Sequence, residues 1–364
     1  MSEWDKAENI LCVRLDSIGD VLMTTPAFRA LKESKPGRKL TLLTSGSGEA
    51  IAHLIPEIDK VIRFDSPWMK ATPQRDDSGF DLEMIEQLRQ EKFDAAVIFT
   101  VFSQNPLPAA YLCYLAEIPL RLGYCRENPY QLLSHWLKDN ETEQALRHEV
   151  RRQLDLVRFV GCETTDDSLS LTVPEAAIQS AVNLLIMQDP HFNMNEPWIV
   201  IHPGATAESR RYPAEKYVTV ADILTCDHNL QILFTGTNSE RQLVEFIRAN
   251  VRGHTTSLVG RINLAEMAAL IKMAPLLITN NTGPAHMAAA LNTPLVQLYA
   301  LTNPQHTPWK GTSRVLSHDV PCKNCFKSIC PMQHHHCLRL ISPQDVVDAA
   351  IALLSPAFPR SLIG

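Results

Sequence analysis

Short apolar runs alternate along the chain with longer amphipathic stretches. Runs at 10–15, 39–44, 60–64, 94–100, 198–201, 230–235, 256–258, 276–279 and 295–299 predict buried strands. Residues 121–124 read as a short strand or turn. Stretches 21–32, 81–92, 106–116, 146–160, 173–188, 214–225, 240–250, 264–274 and 343–354 predict helices. Strand-helix alternation in both halves implies α/β architecture, with two doubly wound parallel sheets. Residues 189–197 are polar and turn-rich, and the pattern starts afresh after them. A first domain is therefore expected over 1–190 and a second over 191–345, with a closing helix and tail over 346–364. No short-period repeat is visible.

The loops after the strands carry the candidate chemistry. The stretch 276–299 reads as strand, polar turn, helix, strand. Asn280, Asn281 and Thr282 suit a helix N-cap, and Pro284 suits the first helical position. Gly283 lets backbone approach a ligand, and Ala285, Ala288, Ala289 and Ala290 let the helix lie tight on a sheet. Free amides at such a helix start form a ready anion site; the alternative is an ordinary unit with an unused terminus. Strand 10–15 runs into the tight loop Asp16-Ser17-Ile18-Gly19-Asp20. Ligands of open α/β sheets sit at the carboxyl ends of strands, so Asp20 either faces that crevice or caps the following helix. The loop lacks G-x-G-x-x-G, which argues against a dinucleotide dehydrogenase. In the second half, His202-Pro203-Gly204-Ala205-Thr206 and Gly236-Thr237 follow strands, and Gly260-Arg261-Ile262-Asn263 precedes a helix.

Composition narrows the class. A chain of 364 residues with formal charge −6 has room for two cores and lacks the overall basic charge of a general nucleic-acid binder. No secretion signal is evident, and the best apolar stretch, 107–120, is short for a membrane span and contains Glu117. Nine cysteines without a signal suggest a cytosolic chain with reduced thiols. Cys12, Cys113, Cys125, Cys162 and Cys226 are scattered, and most of them read as small core residues. The helix 146–160 carries Arg147, His148, Arg151, Arg152 and Arg158; such a face is either solvated or greets an acidic substrate. Cys322, Cys325, Cys330 and Cys337 form C-x2-C-x4-C-x6-C, with His334, His335 and His336 before the last. Four thiols so close suit zinc or iron held by thiolates; the alternative is reduced cysteines packing a loop.

Together, 16–26 (DSIGDVLMTTP), 202–205 (HPGA), 210–213 (RRYP) and 282–291 (TGPAHMAAAL) resemble glycosyltransferase family nine, the ADP-heptose:lipopolysaccharide heptosyltransferases. The similarity runs from about 10 to 354, with the motifs in order. It implies the GT-B fold: two Rossmann-like domains with the active site in the cleft between them. The amino-terminal domain would take the acceptor and the carboxyl-terminal domain the nucleotide-sugar. It implies an inverting transferase with no cofactor for catalysis. Asp20 matches the proposed general base, and Arg210 a cation, usually lysine, that meets the departing diphosphate. Thr206 matches a polar residue near the same phosphates. Thr282 and Gly283, with Pro284 and His286 in the first turn, lie where backbone amides hold the diphosphate. Ile262 matches an adenine-pocket position and Glu240 an acidic residue on the ribose; Gly236 is grouped with this donor set. Asn281 departs from the usual aspartate. The cysteine cluster is similar to cysteine-rich tails in some members, and a branch that glycosylates autotransporters carries an iron-binding cysteine motif.

The resemblance implies transfer of heptose from ADP-heptose to an anionic, lipid-linked inner-core acceptor. The chain would then be cytoplasmic and in peripheral contact with the inner membrane, and His148 and Arg151 would serve the acceptor. A different nucleotide-sugar or a protein acceptor is the alternative, motivated by Asn281. A non-catalytic nucleotide-binding assembly protein and a GT-B epimerase stand further off.

Overall fold

The computed structural model describes residues 3–70, 72–141 and 146–355, so the end of the expected tail lies outside the described residues. The chain forms two compact units, Met1–Thr172 and Val173–Gly364. In the first, α1 (Glu3–Lys6), β1 (Asn9–Arg14), α2 (Ile18–Glu33), β2 (Lys39–Thr44), α3 (Gly46–Ala52) and β3 (Lys60–Arg63) follow one another. Then come α4 (Gly79–Gln90), β4 (Ala95–Ile98), α5 (Leu107–Leu115), β5 (Leu120–Cys125), β6 (His135–Lys138) and α6 (Glu149–Arg158). All strand pairings are parallel, in the order β3-β2-β1-β4-β5-β6. Central β1 is buried from Ile10 onward, with Cys12 beside Leu42 and Val97. Helices on both faces explain why its run is continuously apolar.

The second unit repeats the plan with α7 (Glu175–Gln188), β7 (Trp198–His202), α8 (Ala214–Cys226), β8 (Gln231–Phe234), α9 (Arg241–Asn250) and β9 (Thr255–Ser257). After these come α10 (Leu264–Met273), β10 (Leu277–Asn280), α11 (Gly283–Leu291), β11 (Leu295–Leu298), β12 (Ser313–Leu316), α12 (His336–Arg339) and α13 (Pro343–Leu354). Its parallel sheet has the order β12-β11-β10-β7-β8-β9. One face buries Ile199, Ile201, Phe234, Ile278, Val296 and Leu298 against Val220, Leu224, Val346 and Val347.

In both sheets the first strand of the unit sits centrally, with the next two on one side and the last three on the other. That places a topological switch point between β1 and β4, and another between β7 and β10. Pro26 lies inside α2, and the Leu22 carbonyl that its missing N–H would serve accepts the Thr25 hydroxyl instead (2.7 Å). The expected domain end at 190 differs from the observed one after Thr172, because α7 packs on α10 and belongs to the second unit. The expected closing segment 346–364 is likewise no separate body: α13 is part of the second core.

Candidate active site

At the first switch point, β1 ends in Arg14, whose buried guanidinium gathers three carboxylates. Arg14 Nη2 lies 2.8 Å from Glu149 Oε1 and 3.4 Å from Asp20 Oδ1, and Nε lies 3.3 Å from Asp16 Oδ2. The Ser17 backbone N–H (3.2 Å) and hydroxyl (2.7 Å) both donate to Asp20 Oδ2. Asp20 thus closes a capping box on α2 while its other oxygen faces Arg14. Gln104, from the loop after β4, donates to Asp16 across the switch point. Gln153 donates to Glu149 (2.7 Å) and to the Thr100 carbonyl (3.0 Å), fixing Glu149 in turn.

One cation facing three acids leaves the cluster anionic. Asp16 answers for it: burial, with Asp20 and Glu149 adding, pushes its carboxyl up to about 6 against Arg14 and Gln104. Burial alone would pull the Arg14 guanidinium down, but Asp16, Glu149 and Asp20 outweigh it and keep it charged. A carboxylate locked by two donors and one cation, in the first turn of α2, has the fixed orientation that a general base needs.

The basic helix contributes differently from expectation. His148 is the N-cap of α6, its Nδ1 accepting from Val150 N–H (3.2 Å). Arg151 is ion-paired with Asp167 (2.8 Å), and buried Arg152 grips Asp139 with both terminal nitrogens (3.0 Å each). It is Glu149, one residue on from His148, that reaches the Asp20 cluster. Sequence reasoning missed Arg14, Asp16, Gln104 and Glu149; the available signal was a lone arginine ending an apolar strand.

The donor-type residues line the carboxyl edge of the second sheet, on five adjacent strand ends. Tyr299 follows β11, and Asn281, Thr282 and Gly283 follow β10. Gly204 and Thr206 follow β7, Gly236 and Glu240 follow β8, and Ile262 lies in the turn after β9. Thr282 is the N-cap of α11, yet among the described residues its side chain makes no capping bond. Its hydroxyl instead turns back to Thr279 Oγ1 (3.3 Å) and the Asn280 carbonyl (3.4 Å). The expectation that Asn280 and Asn281 cap this helix is therefore corrected. Asn280 is the last residue of β10, and its amide donates to the Pro203 carbonyl (2.7 Å) and accepts from Tyr212 N–H (3.2 Å). Among the described residues the start of α11 therefore has no side-chain cap: Pro284 has no N–H, Ala285 N–H donates to the Thr282 carbonyl (3.1 Å), and His286 is buried in the first turn.

Arg210 closes a single turn, Glu208–Arg210, and its Nε has no hydrogen-bond partner among the described residues. Buried Asn281 Nδ2 is in the same state. Both residues face Tyr299, whose hydroxyl is raised by burial, with Arg210 and Asn281 opposing. The neighbouring Arg211 turns the other way, and its guanidinium donates to the carbonyls of Ala205 (2.8 Å) and Thr206 (3.3 Å), folding the loop.

Glu240 makes the second half of this edge. Its Oε2 accepts from Thr237 N–H (2.7 Å) and Oγ1 (3.0 Å) and lies 3.8 Å from His202 Nε2. Burial lowers the His202 pKa against the pull of Glu240, and Nδ1 meets Thr235 Oγ1 at 3.2 Å. A Cβ on Gly204 would fall 1.7 Å from Glu240 Oε1, so only glycine admits this carboxylate.

Cys322, Cys325, Cys330 and Cys337 line one small cavity with His334, and Cys322 Sγ lies 3.6 Å from His334 Nε2. Among the described residues, no group of three or more His, Cys, Asp or Glu stands in position to hold a metal ion. Of the scattered cysteines, Cys12, Cys113, Cys125 and Cys162 are buried as expected, whereas Cys226 is exposed. No helix among the described residues is long and apolar enough to cross a membrane.

Two parallel sheets, each with acids, amides or cations at its switch point, define a GT-B protein built on two Rossmann-like units. The model of Glycosyltransferase family 9 (heptosyltransferase) matches residues 82–336, and the chain belongs to that family. It is therefore a glycosyltransferase. Lipooligosaccharide heptosyltransferase 2 of Haemophilus influenzae is 26% identical over 308 residues, covering 82% of this chain and 85% of that protein. A family 9 glycosyltransferase from Veillonella parvula superimposes with a TM-score of 0.80 at 22% identity, over 98% of this chain and 99% of that one. E. coli ADP-heptose lipopolysaccharide heptosyltransferase II gives 0.76 at 23% identity, over 96% and 99%.

Proposed function

We propose that the chain transfers heptose from ADP-heptose to an anionic inner-core lipopolysaccharide acceptor, inverting the anomeric carbon. The observation that carries this reading is the row of donor-type groups at the second sheet's carboxyl edge. The start of α11 carries no side-chain cap and Arg210 Nε makes no hydrogen bond among the described residues, and a diphosphate would supply a partner to both. Thr206 lies beside the same phosphates. Glu240 suits the ribose hydroxyls, with Gly204 and Gly236 leaving it room, and Ile262 suits the adenine.

In the reaction, Asp20 takes the proton from an acceptor hydroxyl as that oxygen attacks the anomeric carbon from the face opposite the diphosphate. The bond from the sugar to the diphosphate oxygen breaks, and ADP leaves with its charge met by Arg210 and the α11 amides. One displacement inverts the centre, and no step calls on a metal. The acceptor is lipid-linked, so the chain works at the cytoplasmic face of the inner membrane as a peripheral protein. His148 and Arg151 are the candidates for the acceptor's phosphates, with Arg151 exchanging Asp167 for the ligand.

The test is acceptor-dependent ADP release from ADP-heptose with heptose-deficient lipopolysaccharide. Asp20→Ala and Asp20→Asn are expected to lose on the order of 10²–10⁴-fold in turnover while binding ADP normally. Release that ignores Asp20 would remove it as the base. Asn281 favours a second reading, a different nucleotide-sugar, because a neutral amide stands where the family carries an acid. Turnover of another nucleotide-sugar above ADP-heptose in the same assay would establish it.

A further inference from the structure

The cysteine-lined loop lies against the turn that bears Arg210. The turn's own backbone bonds are Arg210 N–H to the Ala207 carbonyl (3.0 Å) and Arg211 N–H to the Glu208 carbonyl (3.1 Å), and the Arg211 guanidinium ties it back to the Ala205 and Thr206 carbonyls. Ser209, at its centre, is buried and directs both polar groups into the loop. Its N–H donates to the Ser328 carbonyl (3.1 Å) and its hydroxyl to the Lys327 carbonyl (2.9 Å), between Cys325 and Cys330. His335 Nε2 stands 3.8 Å from Glu208 Oε1 on the same turn.

The loop is anchored in its turn to the end of β11. Asn324 N–H donates to the Leu301 carbonyl (2.7 Å), and Phe326 N–H to the Thr302 carbonyl (2.8 Å). Both donors adopt left-handed backbone (φ 61° and 52°), which asparagine tolerates and phenylalanine rarely adopts. Such a conformation persists only where the surroundings dictate it. The four thiols then close around a cavity of about 20 Å³ whose wall includes Ser209, Leu301 and Thr302. That is room for one water and no more.

We propose that this loop is the positioning device for Arg210, holding the cation's turn through Ser209, and that modification of its thiols uncouples the two. The proposal rests on the reading of Arg210 as the diphosphate's partner. A methylthio group on any of the four sulfurs overfills the cavity and pushes the loop off Ser209. The reagent is methyl methanethiosulfonate: a thiolate attacks its sulfenyl sulfur, a mixed disulfide forms and methanesulfinate leaves. Dithiothreitol reverses the change and is itself oxidised to its cyclic disulfide.

The experiment measures ADP affinity of the full chain by calorimetry in a Cys226→Ser background, which removes the exposed thiol. Arg210→Ala, Ser209→Ala and their double variant form a cycle, and unfolding curves check each fold. Ser209→Ala and methylthiolation are each expected to weaken ADP binding about tenfold, the latter reversibly, and neither to add to the loss in Arg210→Ala. Equal losses with and without Arg210, or none while Arg210→Ala does weaken binding, would overturn the positioning role. Arg210→Ala that leaves ADP affinity unchanged would remove the diphosphate reading first, and the proposal with it.

Discussion

Asp20 shares one buried cation, Arg14, with Asp16 and Glu149. Glu149 lies 135 residues from Arg14, and nothing local marks a glutamate in a basic helix as the partner of a strand-end arginine. The missing piece has a measurable consequence, since Asp16 and Asp20 share Arg14 and each feels the other's charge. The acid limb of turnover is then expected to fall near pH 6 and to belong to the pair, not to one residue. Asp16→Asn removes one negative charge beside the base, so the limb should move down by about one pH unit and the plateau should fall severalfold. The same substitution reports on stability. A carboxyl raised above its ordinary value favours the folded chain below the ordinary carboxylate range, and that contribution is lost as pH rises through about 6. Asp16→Asn should flatten that slope in urea titrations; a limb and slope identical to the parent's would exclude the pairing.

At the scale of elements, most long helices and buried strands follow the periodicity within a few residues, because their apolar faces are long enough to show. The elements that escaped are α1, α3, β6, β12 and α12. β6 and β12 are edge strands whose residues are half-exposed or exposed, so they carry no apolar run to read. The helix start of α11 was legible, and of the three residues that suited its cap Thr282 holds the position. Asn280 and Asn281 have the right chemistry for a cap, yet β10 runs far enough to commit Asn280 to the β7 loop. That loop explains why HPGA carries glycine. In Gly204→Ala the new methyl meets the Glu240 carboxylate, which must leave the Thr237 N–H and hydroxyl. Loss of those two bonds is expected to raise the KM for nucleotide-sugar about tenfold and to lower the melting temperature by a few degrees. An unchanged KM with a lowered melting temperature would leave Glu240 a cap and nothing more.

For the whole molecule, strand-helix alternation was enough to expect two doubly wound units, and both sheets carry the same strand order about their first strand. The boundary was misplaced because 189–197 looks like a linker by composition, while assignment of α7 depends on its packing against α10. That packing divides the candidate chemistry cleanly by unit. Asp20 and its cluster lie before Thr172, and every donor-type residue lies after Val173. Each unit also has its own hydrophobic core and its own fully paired parallel sheet. Residues 173–364 produced alone are therefore expected to bind ADP within about threefold of the full chain, a difference of less than about 0.7 kcal/mol. Residues 1–172 alone should bind none. Calorimetry on the two fragments, each checked by circular dichroism for its fold, decides the matter. A folded 173–364 fragment that has lost ADP affinity would mean that the amino-terminal unit supplies nucleotide contacts, and the division of labour between acceptor and donor units would have to be redrawn.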